Sequence, residues 1–93
     1  MNFELSTQGW TIFTKNNCSY CKKVKALLPD ARFIESDAFL TEGRDSFLEK
    51  LDKWTGKEYR KFPMVFLDKR FIGGYTETKK YLDDMSTFDM IDF

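Results

Sequence analysis

The segment from Trp10 to Pro29 constrains the fold most, because a strand-like run leads through two cysteines into a helix-like run. "WTIF" is β-branched and aromatic and follows a glycine, which predicts a β-strand. Apolar residues then recur at helical spacing through Cys21, Val24, Leu27 and Leu28, and Pro29 ends this pattern. The sequence therefore places Cys18 and Cys21, the only cysteines of the 93 residues, at the start of a helix that follows a strand.

The remaining patterns complete an α/β chain. "RFIE", Arg32 to Glu35, predicts a second strand. An apolar stripe predicts the next helix, with Gly56 just after its end, and consists of Phe47, Leu48, Leu51 and Trp54. "MVFL" and "RFIG", separated by Asp68-Lys69, predict a tight antiparallel hairpin, and Thr76 is the expected N-cap of a last helix. This order, βαβ, helix, hairpin, helix, predicts a mixed four-stranded sheet with helices on both faces, in one domain over residues 1–93.

Charge and hydropathy exclude several classes of function. Fifteen basic residues balance fifteen acidic ones, so no overall positive field predicts nucleic-acid binding. No apolar run approaches the roughly 20 residues of a membrane span. The N-terminal residues have neither the basic nor the apolar part of a secretory signal, which predicts a cytoplasmic protein. In a reducing compartment, a close cysteine pair is more often catalytic or metal-binding than structural.

Three interpretations of the C-x-x-C pair compete. A zinc site needs four N or S ligands, whereas this chain has two thiols and no histidine. A structural disulfide that encloses two residues would restrict the unfolded chain little. A redox pair is favoured, because residues three apart on a helix share a face about one turn, ~5.4 Å, apart.

The start of a helix also suits a reactive thiol. Its unpaired amides and the positive end of its dipole, together with Lys15 and Lys22, are expected to lower the pKa of the Cys18 thiol. A more acidic thiol is above all a better leaving group in thiol–disulfide exchange. Cys21, further into the helix, is expected to be more buried and less acidic.

The sequence resembles the glutaredoxins, which have the thioredoxin-like fold. The resemblance covers about residues 10–85. It rests on "TKNNCSYC", which is similar to the family's C-x-Y-C site, and on "TGKEYRKFPMVFLDKRFIGGYTE", which is similar to its Thr-Val-Pro and Gly-Gly segments. It implies a glutathione-dependent oxidoreductase that reduces protein disulfides and glutathione mixed disulfides, with Cys18 as nucleophile and Cys21 as resolving thiol. It further implies glutathione as co-substrate, no tightly bound cofactor, no metal and a monomer.

The resemblance also implies the glutathione-binding residues. Lys15 would meet the glycyl carboxylate, Tyr20 would line the groove, and Phe62 would pair its backbone with the cysteinyl part before a cis Pro63. Arg60 or Lys61 would supply a charge contact. The γ-glutamyl end would be held by Gly73, Gly74, Tyr75, Thr76 and Glu77.

The sequence departs from the family at several places. Lys61-Phe62 replaces Thr-Val before the proline, two extra residues precede it, and Glu77 replaces an aspartate. In its altered pair and its small size, the chain is similar to glutaredoxins of phages and large viruses. This similarity suggests ribonucleotide reductase as a partner. Ser19, where many members have proline, leaves an alternative open. Some C-S-Y-C members hold a 2Fe–2S cluster between two subunits, for which Cys18 would be a ligand.

Overall fold

The computed structural model describes Leu5 and residues 8–91, with side chains through Met85. Its elements in chain order are β1 (Trp10–Thr14), α1 (Ser19–Leu27), β2 (Arg32–Glu35), α2 (Asp37–Thr41), α3 (Arg44–Thr55), β3 (Met64–Leu67), β4 (Arg70–Gly73) and α4 (Tyr75–Ile91). The strands form one sheet in the order β2-β1-β3-β4. β1 is parallel to β2 and antiparallel to β3, and β3 is antiparallel to β4. The predicted mixed sheet is confirmed, and the predicted elements occur in the predicted order with one further helix, α2.

Two hydrophobic cores lie on opposite faces of the sheet. Because successive residues of a strand point to opposite faces, Ile12 and Phe13 of β1 enter different cores. Ile12 packs with Val24 of α1 and Val65 of β3. The other core contains Leu5, Phe13, Phe47, Leu51, Met64 and Phe66. Helices therefore cover both faces, as the sequence predicts.

The β3–β4 turn is a tight hairpin built without glycine. Asp68 and Lys69 have φ values of 49° and 71°, the left-handed conformation that a two-residue type I′ turn requires at both positions. The Gly9 amide donates to Asp68 Oδ1 at 2.6 Å, and the Asp68 amide donates to the Gly9 carbonyl at 3.0 Å. These bonds join the hairpin to the residue before β1.

Two local predictions need correction. The sequence pattern did not reveal α2, because a five-residue helix has too few positions to show a helical period. The N-cap prediction for Thr76 was wrong, since α4 begins at Tyr75 and contains Thr76 in its first turn. Glu77 Oε1 instead accepts a hydrogen bond from the Gly74 amide at 2.7 Å, as the acid of a capping box does. Over Leu5 and residues 8–91, no helix combines the length and apolar character needed to cross a membrane.

Candidate active site

The two cysteines meet at the N-terminus of α1. Cys18 is the N-cap residue, with extended backbone (φ −118°, ψ 104°), and its Sγ accepts a hydrogen bond from the Cys21 amide at 3.2 Å. The two residues are joined by a disulfide, and their Cα atoms are 5.2 Å apart. Cys21 is buried, at 2% exposure, whereas Cys18 is partly exposed. The predicted juxtaposition of the sulfurs and the deeper position of Cys21 are confirmed.

The loop between β1 and α1 is fixed by α2. The Asn16 amide donates to both carboxylate oxygens of Asp37, at 3.2 and 3.0 Å. Asn17 then takes a left-handed conformation (φ 56°), which asparagine tolerates better than most residues. The short helix that the sequence pattern did not reveal therefore helps to place Cys18.

A second loop lies opposite the disulfide. The Phe62–Pro63 bond is cis, as the family resemblance implied. The Phe62 carbonyl oxygen is 3.6 Å from Cys18 Sγ. This loop therefore borders the reactive sulfur.

From this point a groove of about 910 Å³ extends between the Pro63 loop, the β3–β4 hairpin and the start of α4. The structure brings together along it nine of the residues that the sequence predicts for glutathione, namely Tyr20, Lys61, Phe62, Pro63, Gly73, Gly74, Tyr75, Thr76 and Glu77. Their binding role stays a prediction.

Lys15 and Arg60 are not among the residues that line the groove. Lys15 lies at its edge, with Nζ 5.5 Å from the centroid of the Phe62 ring. The Arg60 guanidinium donates to both oxygens of Asp52, at 2.6 and 3.2 Å, and this hydrogen bonding lowers the pKa of the Asp52 carboxyl. The structure thus directs Arg60 toward α3, whereas Lys61 faces the groove.

Tyr20 is held in an aromatic stack at the mouth of the groove. Its ring stacks on Tyr75 with centroids 5.7 Å apart. Lys23 Nζ lies 5.0 Å from the Tyr20 centroid and 5.6 Å from that of Tyr75. At such distances an ammonium group is attracted to the ring faces. Tyr20 is 52% exposed, so its ring is held by this stack and not by burial.

Several other lining residues were not among the predicted site residues. They are Trp54, Thr55, Lys57, Tyr59, Lys69, Arg70, Phe71 and Ile72. The two extra residues before Pro63 are the one sequence signal that could have drawn attention to Tyr59, since they lengthen the segment that contains it.

Tyr59 lies close to the predicted γ-glutamyl end. Its ring packs edge-on against Phe71 with centroids 4.9 Å apart. Its hydroxyl would be 2.9 Å from a Cβ atom added at Gly74, so it approaches this glycine closely. Burial raises the pKa of the Tyr59 phenol, and the negative charge of Glu77 raises it further. The phenol is therefore neutral at physiological pH and can donate a hydrogen bond.

Comparison with known proteins now decides the family. The glutaredoxin family model matches residues 10–72, which include the cysteine pair, the Pro63 loop and most of the hairpin. This chain belongs to the glutaredoxin family. This glutaredoxin is 36% identical to the mouse protein "Glutaredoxin-2, mitochondrial" over 80 residues, which cover 82% of the chain and 49% of the relative. The chain thus spans about half the length of the mammalian relatives it matches.

Solved structures confirm the thioredoxin-like fold of this glutaredoxin. The holo form of glutaredoxin C1 from Populus tremula x tremuloides aligns with a TM-score of 0.67 and 26% identity, over 85% of this chain and 78% of that one. A buckwheat glutaredoxin–glutathione complex aligns with a TM-score of 0.66 and 28% identity, over 87% of this chain and 74% of that one.

Proposed function

We propose that this glutaredoxin is a glutathione-dependent oxidoreductase that reduces protein disulfides and glutathione mixed disulfides through Cys18 and Cys21. The observation that carries the proposal is the hydrogen bond from the Cys21 amide to Cys18 Sγ at the N-cap of α1. An amide donor and the positive end of a helix stabilise a thiolate at this sulfur in the reduced protein. The buckwheat complex gives further support to glutathione as the co-substrate.

With a glutathione mixed disulfide, the reaction needs only Cys18. The Cys18 thiolate attacks the glutathione sulfur of the mixed disulfide. The sulfur of the substrate protein leaves as a thiolate, and a disulfide bond forms between Cys18 and glutathione. The thiolate of a second glutathione then attacks the bound glutathione sulfur and expels the Cys18 thiolate, with glutathione disulfide as the product. This second step benefits from an acidic leaving thiol.

With a protein disulfide, both cysteines take part. The Cys18 thiolate attacks one sulfur of the substrate, so that a mixed disulfide forms and the other substrate sulfur leaves. The Cys21 thiolate then attacks Cys18 Sγ, which releases the second substrate thiolate and forms the Cys18–Cys21 disulfide of the structure. Two electrons pass from the dithiol to the substrate, and two glutathione molecules restore the dithiol.

The groove offers complementary groups to glutathione. First-turn amides of a helix have no acceptor within the helix, so those of Tyr75 and Thr76 suit the α-carboxylate of the γ-glutamyl group. The Glu77 carboxylate suits its ammonium group, and Lys15 suits the glycyl carboxylate at the other end. The cysteinyl sulfur would then lie near Cys18, beside the Phe62 carbonyl.

Alkylation across pH tests the state of Cys18. In the reduced Cys21→Ser variant, we expect the rate of reaction with iodoacetamide to rise with a midpoint below about 8.5, the pKa of free cysteine. The Cys18→Ser variant reports the buried Cys21 and is the matched control. A Cys18 midpoint at or above that of free cysteine would contradict the proposal.

A tyrosine variant tests the γ-glutamyl end. Tyr59→Phe removes only the hydroxyl near Gly74, and we expect it to lower kcat/KM for a glutathione mixed disulfide about three- to tenfold, the loss of one hydrogen bond. A cysteinylglycine mixed disulfide, which lacks the γ-glutamyl group, should show no such loss. Tyr81→Phe is the control, because Tyr81 packs against Trp10 and does not line the groove. Equal losses of kcat/KM with both substrates would show that the Tyr59 hydroxyl does not act on the γ-glutamyl group.

A cluster carrier is the alternative to this enzyme. A 2Fe–2S cluster uses cysteine thiolates, so Cys18 would have to leave its disulfide and two copies of the chain would have to combine. The residues fit this role, since Cys18 is partly exposed and the buried Cys21 would not be a ligand. Brown protein with visible absorbance after purification without oxygen, lost in Cys18→Ser, would favour the carrier. Colourless, monomeric and active protein favours the enzyme.

A further inference from the structure

The groove and a neighbouring depression form a continuous basic surface. Four cationic residues line the groove, namely Lys57, Lys61, Lys69 and Arg70. A second depression of about 530 Å³ is lined by Leu5, Lys50, Lys53, Trp54 and Lys69. Because Trp54 and Lys69 line both, the two depressions adjoin. We call the six cationic residues (50, 53, 57, 61, 69 and 70) the basic surface.

The positive charge of the four groove cations exceeds the negative charge that lines the groove. Within the described part of the chain, no carboxylate lies within 4.0 Å of the side-chain nitrogens of the four groove cations. Asp52 pairs with Arg60, and the acids next to these cations in the chain, Glu58 and Asp68, line neither depression. Glu77 is the one acidic residue among those that line the groove. The chain as a whole has equal numbers of acidic and basic residues, so this surface is a local excess.

Glutathione alone does not account for this charge. The tripeptide carries two carboxylates and one ammonium group at neutral pH, a net charge of −1. In the proposed binding mode its carboxylates meet Lys15 and the α4 amides, which leaves Lys57, Lys69 and Arg70 without an anionic partner. A volume of about 910 Å³ is also near the upper end of the roughly 300–1,000 Å³ typical of small-molecule pockets.

The cations are displayed on fixed parts of the fold. Lys69 and Arg70 belong to the hairpin turn and β4, which the Asp68–Gly9 bonds hold in place. Lys57 Nζ lies 5.9 Å from the centroid of the Phe71 ring, which packs on Tyr59. A preorganised charged surface loses less conformational entropy when it binds a partner.

We propose that the basic surface docks an acidic segment next to the reactive disulfide of a polypeptide substrate. The inference rests on the proposed function, because the substrate cysteine must reach Cys18 at one end of the groove. The acidic residues of the substrate would then lie toward Lys57, Lys69, Arg70 and the second depression. Complementary charge raises the rate of encounter and fixes the orientation of the substrate.

Peptide disulfides of graded charge test this inference. Three peptides share one intramolecular disulfide and have glutamate, glutamine or lysine at the flanking positions. With the reduced full chain at low salt, we expect kcat/KM to be about tenfold higher for the glutamate peptide than for the glutamine peptide, and lowest for the lysine peptide. The preference should shrink as salt rises, because exposed charges are screened.

Two triple variants with the same charge change separate location from net charge. Lys57→Gln, Lys69→Gln and Arg70→Gln together should bring the glutamate-to-glutamine ratio close to one. The control combines Lys25→Gln, Lys79→Gln and Lys80→Gln, whose side chains pair with Glu35, Asp83 and Asp84 away from the groove. We expect this control to keep the wild-type ratio and rates.

The outcomes are distinguishable. If the wild-type chain reduces none of the peptides and no glutathione mixed disulfide, the proposed function fails. If it reduces all three peptides equally well, or if both triple variants lose the preference alike, the docking inference fails and the function stands. A single-stranded DNA oligonucleotide that competes as strongly as the glutamate peptide would show that the surface binds polyanions in general, which would also overturn the inference.

Discussion

Cys18→Ser is expected to reduce the turnover of a glutathionylated peptide to the rate without protein, whereas Cys21→Ser is expected to keep activity of the wild-type order. A serine hydroxyl does not ionise at neutral pH, and the thiolate is the nucleophile of the exchange. Cys21 is not needed with this substrate, because glutathione itself releases Cys18 from the intermediate. The measurement is the release of reduced peptide in the presence of glutathione.

The same pair of variants has a second readout. Without glutathione, Cys21→Ser should accumulate a stable mixed disulfide between Cys18 and a protein-disulfide substrate, visible by mass spectrometry. Cys18→Ser should accumulate none, since the buried Cys21 cannot reach the substrate. Equal loss of activity in both variants, or trapping through Cys21, would contradict the roles assigned to the two sulfurs.

Phe13→Ala is expected to lower the free energy of unfolding by about 3–5 kcal/mol. Phe13 is fully buried, and its ring contacts those of Phe47, Trp54 and Phe66 at centroid distances of 6.1, 6.1 and 5.7 Å. Removing it therefore opens a cavity between the sheet and α3. Since small domains have about 5–15 kcal/mol in total, this loss is a large fraction of the stability.

Chemical denaturation followed by tryptophan fluorescence measures this loss. Met85→Ala is the control, because Met85 is 48% exposed and truncations at such positions usually change stability by less than about 0.5 kcal/mol. Similar midpoints for Phe13→Ala and Met85→Ala would show that the aromatic cluster is not the main core of the fold.

Local patterns in the sequence were sufficient for most of the secondary structure. The strands at "RFIE", "MVFL" and "RFIG" occur with the predicted bounds, and the first helix begins beside Cys18. The hairpin formed without the favoured Asp-Gly pair, because Asp68 gains a bond to the Gly9 amide that lies 59 residues away. The start of the last helix was predicted wrongly at Thr76, because the helix begins at Tyr75 and the Glu77 carboxylate bonds the Gly74 amide.

The groove depended on contacts that no local pattern describes. The family resemblance supplied nine of its lining residues, but it also named Arg60, which the structure turns toward Asp52. Tyr59 and the cations of the hairpin were not predicted as site residues, because neither a local pattern nor the family resemblance assigned them a role. Only the folded sheet brings β4 and the segment before Pro63 to the same side as Cys18.

The sequence by itself determined the strands, the three longer helices and the position of the cysteine pair at a helix start, because these follow from residue spacing over one or two turns. The tertiary structure alone decided the shape of the groove, the partner of Arg60 and the grouping of cations along the groove. These depend on which distant segments pack together, and that is set by the burial of the two cores rather than by any local preference.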